Sequence, residues 1–510
     1  MTDMTTIKID KNTKLRTLDN KVSTICIWDY REQFLGYGED GQIKKMNPFV
    51  ERVQFMTATG GNVERDLFRE PENFEVRDDY DFSRLITACK NALRLGVKPF
   101  IKTGSIPVKL TKEPKIGKFG VNMHAPDDMN EYYDYIFALC EELKAEFGID
   151  EVSSWSFGVF TEFENKEWFK ADENSADISA KKFCDIYDYT VAAIADSLGE
   201  DVTVGAHAMT VTDITKLIVF DSLEFVRHCA TEKNAKSGKP VRLDYMAVSY
   251  YDGRPYMYCF KTLAQVVDKL RKGFAEHGIH NVRFACDEGR INSGNDEKEL
   301  SPRTVGYRYQ AAMDADLIWQ MVNTDIDYFA AWSYLSGGLM DGIKSVGSHM
   351  AECYYDMVGM TQVKSDDIDI ISMDPGSFRV NSVAAVDDSG KMTVMAYNYM
   401  PGKYAYDTPE EIEICFNTEL ADGEYIAQCK FIDDSCNFYP HWAKDRDAAG
   451  LKTLGRWSEE SPEVMTEGFD CTKYEKYSHL IPQDRIYSVK DGKATLSLTL
   501  AGNSAVFVTF

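Results

Sequence analysis

The 510-residue chain has no apolar run approaching the roughly 18 residues that a membrane-spanning helix needs. Its start, Met1-Thr2-Asp3-Met4-Thr5-Thr6, has neither the basic segment nor the apolar stretch of a secretory signal. On that reading a membrane partner is excluded and a cytoplasmic location is expected. The 12 cysteines are scattered without one C-x-x-C pair, and no histidine stands beside them at ligand spacing, so neither a zinc site nor a disulfide framework is expected. Positive charge is scarce: 57 Lys and Arg against 82 Asp and Glu leave a formal net charge of −25, which repels nucleic acid. Gly60-Gly61 and Gly337-Gly338 lack the lysine and spacing of phosphate-binding loops, and nothing else calls for a cofactor. Internal repeats and low-complexity linkers are absent as well.

What is present is ordinary globular material, 44% hydrophobic and 27% charged, which places the chain among folded proteins rather than disordered ones. Between about residues 22 and 360, short apolar strands alternate with amphipathic helical stretches. Eight strands are expected, at 22–28, 50–56, 97–103, 152–160, 202–208, 243–250, 282–286 and 328–334. The helical stretches carry apolar residues at helical spacing, such as Phe82, Leu85, Ile86, Cys89 and Leu93, and several end in glycine, as at Gly96 and Gly148. Eight β-α units in succession predict an α/β chain folded as a (β/α)8 TIM barrel. Beyond about residue 366 the pattern becomes all-β, with a hairpin around Asp387-Asp388-Ser389-Gly390 and the alternation Leu496, Leu498, Leu500. The expected division is an N-terminal strand in 1–20 that pairs with the later sheet, a barrel over 21–362 and a C-terminal β-sandwich over 363–510.

Reacting groups in such barrels project from the C-terminal ends of strands. The fourth strand ends in Thr161-Glu162-Phe163-Glu164-Asn165 and the seventh in Asp287-Glu288-Gly289-Arg290. Glutamates on opposed strands would face each other across the mouth, where two carboxyls can divide the acid and nucleophile roles of glycoside cleavage. In so acidic a chain a lone strand-end Glu is as readily a solvated surface group, so it is the pairing of Glu162 with Glu288 that points to function. Glu164 is a second acid close to the first, and Asp287 would orient Arg290.

The run Trp155-x-Phe157-x-Val159-Phe160-Thr161-Glu162-Phe163-Glu164-Asn165, with Trp168-Phe169 beyond it, resembles the motif W-x-F-x-V-W-N-E-P-N of glycoside hydrolase family 39, the β-xylosidase and α-iduronidase family of clan A. Val204-Gly205-Ala206-His207-Ala208, Val248-Ser249-Tyr250-Tyr251 and Cys286-Asp287-Glu288 are similar to that family's fifth-, sixth- and seventh-strand motifs. The resemblance implies a barrel followed by a β-sandwich, with Glu162 as acid/base and Glu288 as nucleophile. The chain departs from the motif at Thr161, where an asparagine normally contacts the sugar, at Phe163 in place of proline and at Tyr251 in place of histidine. Further substrate contacts would come from six positions. Thr161 and Tyr251 stand at two motif sites. Trp332 stacks on a sugar or fills the barrel core. His207 lines the pocket or is a core histidine. Arg52 supports the nucleophile or makes a packing ion pair, and His124 rims the site or sits on the surface.

These readings make the chain a retaining glycoside hydrolase acting from the end of small glycosides or plant-derived oligosaccharides, β-xylosidase-like, with a homo-oligomer as the form any self-association would take. A uronate substrate would require a basic cluster, and only Arg290 stands at a strand end. The replaced motif residues leave an alternative from another class, a carbohydrate-binding protein that kept the barrel and lost turnover.

Overall fold

The computed structural model describes residues 4–28, 46–172, 175–209, 217–252, 261–292, 308–332, 344–365, 368–403, 405–448 and 471–510. After a first strand, β1 (Thr5–Thr17), eight parallel strands pair in chain order and close on themselves. They are β2 (Thr24–Ile27), β3 (Arg52–Phe55), β4 (Lys98–Thr103), β5 (Ser156–Val159), β6 (Thr203–Ala208), β7 (Tyr245–Asp252), β8 (Arg283–Asn292) and β9 (Ile326–Trp332). Residues 333 and 334 of the expected eighth strand lie outside the described residues, and the expected seventh strand, 282–286, runs on to Asn292.

Side-chain alternation along each strand sorts the core into two parts. Val53, Phe55, Ile101, Phe157, Met246, Val248, Cys286 and Phe329 face outward and pack under the surrounding helices. Their neighbours Phe100, Tyr245, Ala247, Ala285, Tyr328 and Ala330 face inward and fill the barrel. Both faces of every strand are therefore covered, which explains why the strands read as nearly continuous apolar runs.

The helices around the barrel are α1 (Ser83–Arg94), α2 (Met129–Phe147), the single turn α3 (Ile149–Val152), α4 (Ala176–Leu198), α5 (Ser222–Thr231), α6 (Leu263–Glu276), α7 (Tyr309–Thr324) and α8 (Val346–Tyr355). Side chains cap most of their N-termini, for instance Asp128 on Asn130 N at 2.8 Å and Ser175 on Ile178 N at 3.2 Å. Thr262 and Gln265 form a reciprocal capping box on α6. Gly148 ends α2 at φ +81°, a conformation that costs a residue with a Cβ.

The remaining strands are β10 (Thr361–Lys364), β11 (Arg379–Val386), β12 (Met392–Tyr399), β13 (Glu410–Asn417), β14 (Gly423–Ile432), β15 (Gln483–Lys490), β16 (Lys493–Leu500) and β17 (Ser504–Thr509). With β1 they form one mixed sheet that closes round a second core. Leu496, Leu498 and Leu500 all point into it, with Leu498 opposite Ile412 and Leu496 opposite Ile414. β1 enters the sheet in parallel with β13, Ile7 level with Ile414, and antiparallel to β10.

The outer face of β11, β12 and β17 rests on α7, which is buried from Tyr309 to Val322. At this seam the fully buried Asp316 of α7 pairs with the Arg379 guanidinium at 2.7 Å and accepts the Tyr397 hydroxyl at 2.9 Å. Removing one partner leaves the other charge buried and uncompensated, so Asp316→Ala is expected to lower stability by about 3–5 kcal/mol. Denaturant unfolding checks this, and a loss below about 1 kcal/mol would show that the seam does not depend on the pair.

Candidate active site

At the C-terminal end of β5 the chain turns through two non-glycine residues in the left-handed region, Phe160 at φ +62° and Glu162 at φ +44°. Each such residue costs on the order of 1 kcal/mol and persists only where packing holds it. Here the packing is plain: the Phe163 ring stacks on Phe183 with centroids 4.1 Å apart and lies against Phe220 and Phe225. Phe163 N donates to the His207 carbonyl at 3.1 Å, and Asn165 N to the Glu162 carbonyl at 2.7 Å. The residue that stands where the family motif has proline thus anchors the turn in the core beneath it.

Glu288 reaches the barrel interior by a different device. Along β8, Ala285 faces in and Cys286 out, so strict alternation would send Asp287 in and Glu288 out. The ladder with β7 slips at this point: Cys286 lies level with Val248 and Glu288 with the inward-facing Ser249. The one-residue bulge at Asp287 turns both acids to the inside. Gly289 follows at φ +146°, where a Cβ would come within 2.0 Å of the Tyr250 carbonyl oxygen, so the bulge requires glycine.

Both glutamates are nearly buried, Glu162 at 5% and Glu288 at 7% exposure. Burial, then the charge of Glu288 and more weakly that of Glu164, push the Glu162 carboxyl up to about 8, against hydrogen bonds from Ser249 and Asn165 that favour its ionised form. The Asn165 amide donates to Glu162 Oε2 at 2.6 Å, and the Tyr251 hydroxyl donates to Glu288 Oε1. His207 is fully buried with Nε2 2.8 Å from the Ser249 hydroxyl. Burial, reinforced by the Lys102 charge, holds its imidazole well below the usual range, so the ring is neutral. His207 Nε2 and the Ser249 hydroxyl thus share one hydrogen bond in a network that ends on Glu162. A carboxyl kept protonated beside a second, anionic one can donate a proton to a departing oxygen while its neighbour supplies negative charge.

The other expected residues divide. Tyr251 and His207 are brought to the two carboxylates. Thr161 lies beside them, but its single donor goes to the Met56 carbonyl at 3.3 Å. Arg52 is not at the mouth: it opens β3 at the opposite end of the strand, its guanidinium 4.3 Å over the Tyr328 ring and bonded to the Ser23 hydroxyl at 3.1 Å. These contacts fit the packing alternative for Arg52. His124 engages its own loop through the Glu113 carbonyl at 2.9 Å. Trp332 ends β9, and its side chain, like that of Arg290, lies outside the described residues. Glu164 accepts Met209 N at 2.9 Å and ties down the segment after β6. Asp287 pairs with Lys102 of β4 and accepts the Tyr328 hydroxyl at 2.6 Å; the side chain of Arg290, the partner expected for it, lies outside the described residues.

Several contributors escape a reading of spacing alone. Asn165 and Ser249 lie within the motifs, but spacing alone does not single them out as contacts, and nothing distinguishes Lys102 before the strands are side by side. At the mouth, Trp28 after β2, Phe119 in the loop after β4 and Trp168 after β5 pack together with centroids 5.1–6.0 Å apart, joining three loops into one aromatic wall. The Ser249 bond is open to test: in Ser249→Ala the Glu162 carboxyl should titrate at still higher pH, because a donor to its ionised form is gone. Carboxyl ¹³C NMR reads this directly, and an unchanged midpoint would remove Ser249 from the chain of hydrogen bonds.

Residues 40–388 match the model of glycosyl hydrolases family 39. A β-xylosidase of Geobacillus stearothermophilus is 23% identical over 298 residues, 56% of this chain, and the chain spans only 54% of that relative's length. Among solved structures, a monomeric β-xylosidase from Caulobacter crescentus CB15 superposes with a TM-score of 0.66 at 16% identity over 99% of each chain. A bacterial orthologue of human α-L-iduronidase superposes with a TM-score of 0.64 at 14% identity, covering 100% of this chain and 84% of that one. At these identities the superpositions speak for the fold.

Proposed function

The chain belongs to glycosyl hydrolase family 39 and is a glycoside hydrolase, and from that premise we propose that it is a retaining, β-xylosidase-like enzyme that removes sugars from the ends of small glycosides or oligosaccharides. The observation that carries this reading is the pair of buried glutamates at the barrel mouth, in which the charge of Glu288 helps to hold Glu162 protonated. Glu288 attacks the anomeric carbon while Glu162 gives its proton to the leaving oxygen, forming a glycosyl ester. Once Glu288 is esterified its charge is gone, Glu162 gives up a proton more readily, and it activates the water that hydrolyses the ester. Tyr251, donating to Glu288, steadies the carboxylate before attack and when it is regenerated. Asn165 and Ser249 orient Glu162.

The end-on mode is supported by the aromatic wall of Trp28, Phe119 and Trp168, which joins the loops on one side of the mouth and favours a pocket over an open cleft. A panel of aryl glycosides tests the reading, with aryl β-xyloside expected to be cleaved and the product followed by ¹H NMR. β-Xylose should appear first and mutarotate later. The α-anomer first, or no release from any glycoside in the panel, would overturn the proposal, and the second outcome would favour a carbohydrate-binding protein.

A further inference from the structure

Lys102 and Asp287 are both fully buried, on opposite strands of the barrel, and meet as an ion pair inside it. Two charges removed from water in this way rarely add stability over an apolar filling, so a buried pair next to two buried glutamates invites another explanation. Its surroundings are specific. Asp287 accepts the Tyr328 hydroxyl at 2.6 Å, and its backbone carbonyl accepts the Gln54 amide at 3.0 Å. It is the bulged residue that turns its neighbour Glu288 inward. The Lys102 ammonium interacts electrostatically with Glu288 as well as with Asp287.

We infer that the Lys102–Asp287 pair is a positioning and charge-setting device for Glu288, in which Asp287 keeps the Lys102 ammonium near enough for Glu288 to feel its field yet occupied, so that it does not capture the Glu288 carboxylate. The inference rests on the role given to Glu288 above. Burial draws the Lys102 ammonium below its ordinary range, and the carboxylate of Asp287, then that of Glu288, oppose it. The other titratable or charged groups around the pair are Cys26 of β2, Arg52 of β3, Glu162 and Glu164 after β5, His207 of β6, Tyr245 and Tyr251 of β7, Cys286 of β8 and Tyr328 of β9. Of these, Arg52 is the other cation, and its guanidinium lies 4.3 Å over the ring of Tyr328, whose hydroxyl bonds Asp287. The Lys102 field acts on Glu288 as well as on Asp287.

The two members of the pair should act on Glu288 in opposite directions. In Lys102→Met, the Asp287 carboxylate is left beside Glu288 without its counter-charge, and the Glu288 midpoint rises by about one pH unit or more. In Asp287→Asn, the ammonium turns to Glu288: the midpoint falls by a similar amount, and kcat drops about 10²-fold with KM little changed, because the nucleophile is tied and displaced. The double variant Lys102→Met/Asp287→Asn removes both charges and should bring the midpoint back toward that of the parent. The experiment is a carboxyl ¹³C-NMR titration of the full-length glutamate-labelled chain, with the Glu288 signal assigned by its loss in Glu288→Gln. Because it reads ionisation and not turnover, an enzyme that cleaves no glycoside would overturn the proposed function and leave this test intact. If Lys102→Met does not fold, Asp287→Asn and the double variant carry the comparison alone. Midpoints that stay in place, or that move the same way in both single variants, would show the pair to be structural only.

Discussion

Glu288→Ala is expected to lose turnover by a factor on the order of 10⁴ to 10⁶, the largest effect of any single change in the chain. The loss follows from chemistry and not from unfolding. Without the carboxylate no glycosyl ester forms, and one hard displacement can no longer be divided into two easier ones. Alanine leaves the space in which a small anion can act, so added azide should restore part of the rate by attacking the anomeric carbon directly. The product would then be a glycosyl azide of inverted configuration. Circular dichroism should show the fold retained, since Glu288 sits at the mouth and not in the packed interior layers. Retained turnover on aryl glycosides, or a fluorosugar label on Asp287 instead, would sink the assignment; the ion pair of Asp287 with Lys102 already weighs against that second outcome.

The second large effect concerns Glu162. A general acid must carry its proton at working pH, and Glu162 does so below about 8 because of burial and the neighbouring Glu288 charge. Activity of the parent enzyme should accordingly fall as the pH rises through about 8, where Glu162 loses the proton that the leaving oxygen needs. In Glu162→Ala that alkaline limb should vanish. Glycosides with poor leaving groups should slow by about 10²- to 10⁴-fold, while activated aryl glycosides are little affected in the first step. Azide should then rescue the second step by attacking the glycosyl ester, giving a product of retained configuration. The stereochemistry separates this variant from Glu288→Ala. Equal losses on both substrate types without rescue, together with selective loss in Glu164→Ala, would move the role to Glu164. That residue, however, is already committed to the Met209 backbone.

Much of this molecule is legible in its sequence. The eight apolar runs separated by amphipathic stretches determine a β/α barrel, because strands covered on both faces and helices covered on one leave different hydrophobic periods. Leu496, Leu498 and Leu500 mark the inner face of the second sheet for the same reason. Glu162 and Glu288 stood out because they close strands of opposed position, and Phe163 could be seen as a departure from a motif, though not as an anchor stacked on Phe183.

What only the tertiary structure decided depends on neighbours distant in sequence. Alternation along β8 assigns Glu288 to the outer face; the slipped ladder against β7, with Gly289 able to approach Tyr250, turns it inward. A bulge is a property of two paired strands, and one strand's sequence does not display it. Arg52 reads as an active-site arginine until the register places it at the wrong end of β3, because strand ends are fixed by pairing and only loosely by composition. Lys102 reads as a polar interruption in an apolar strand. Its meaning appears when the closing barrel sets it against Asp287, 185 residues away in sequence, where neither charge can reach water and each must find the other.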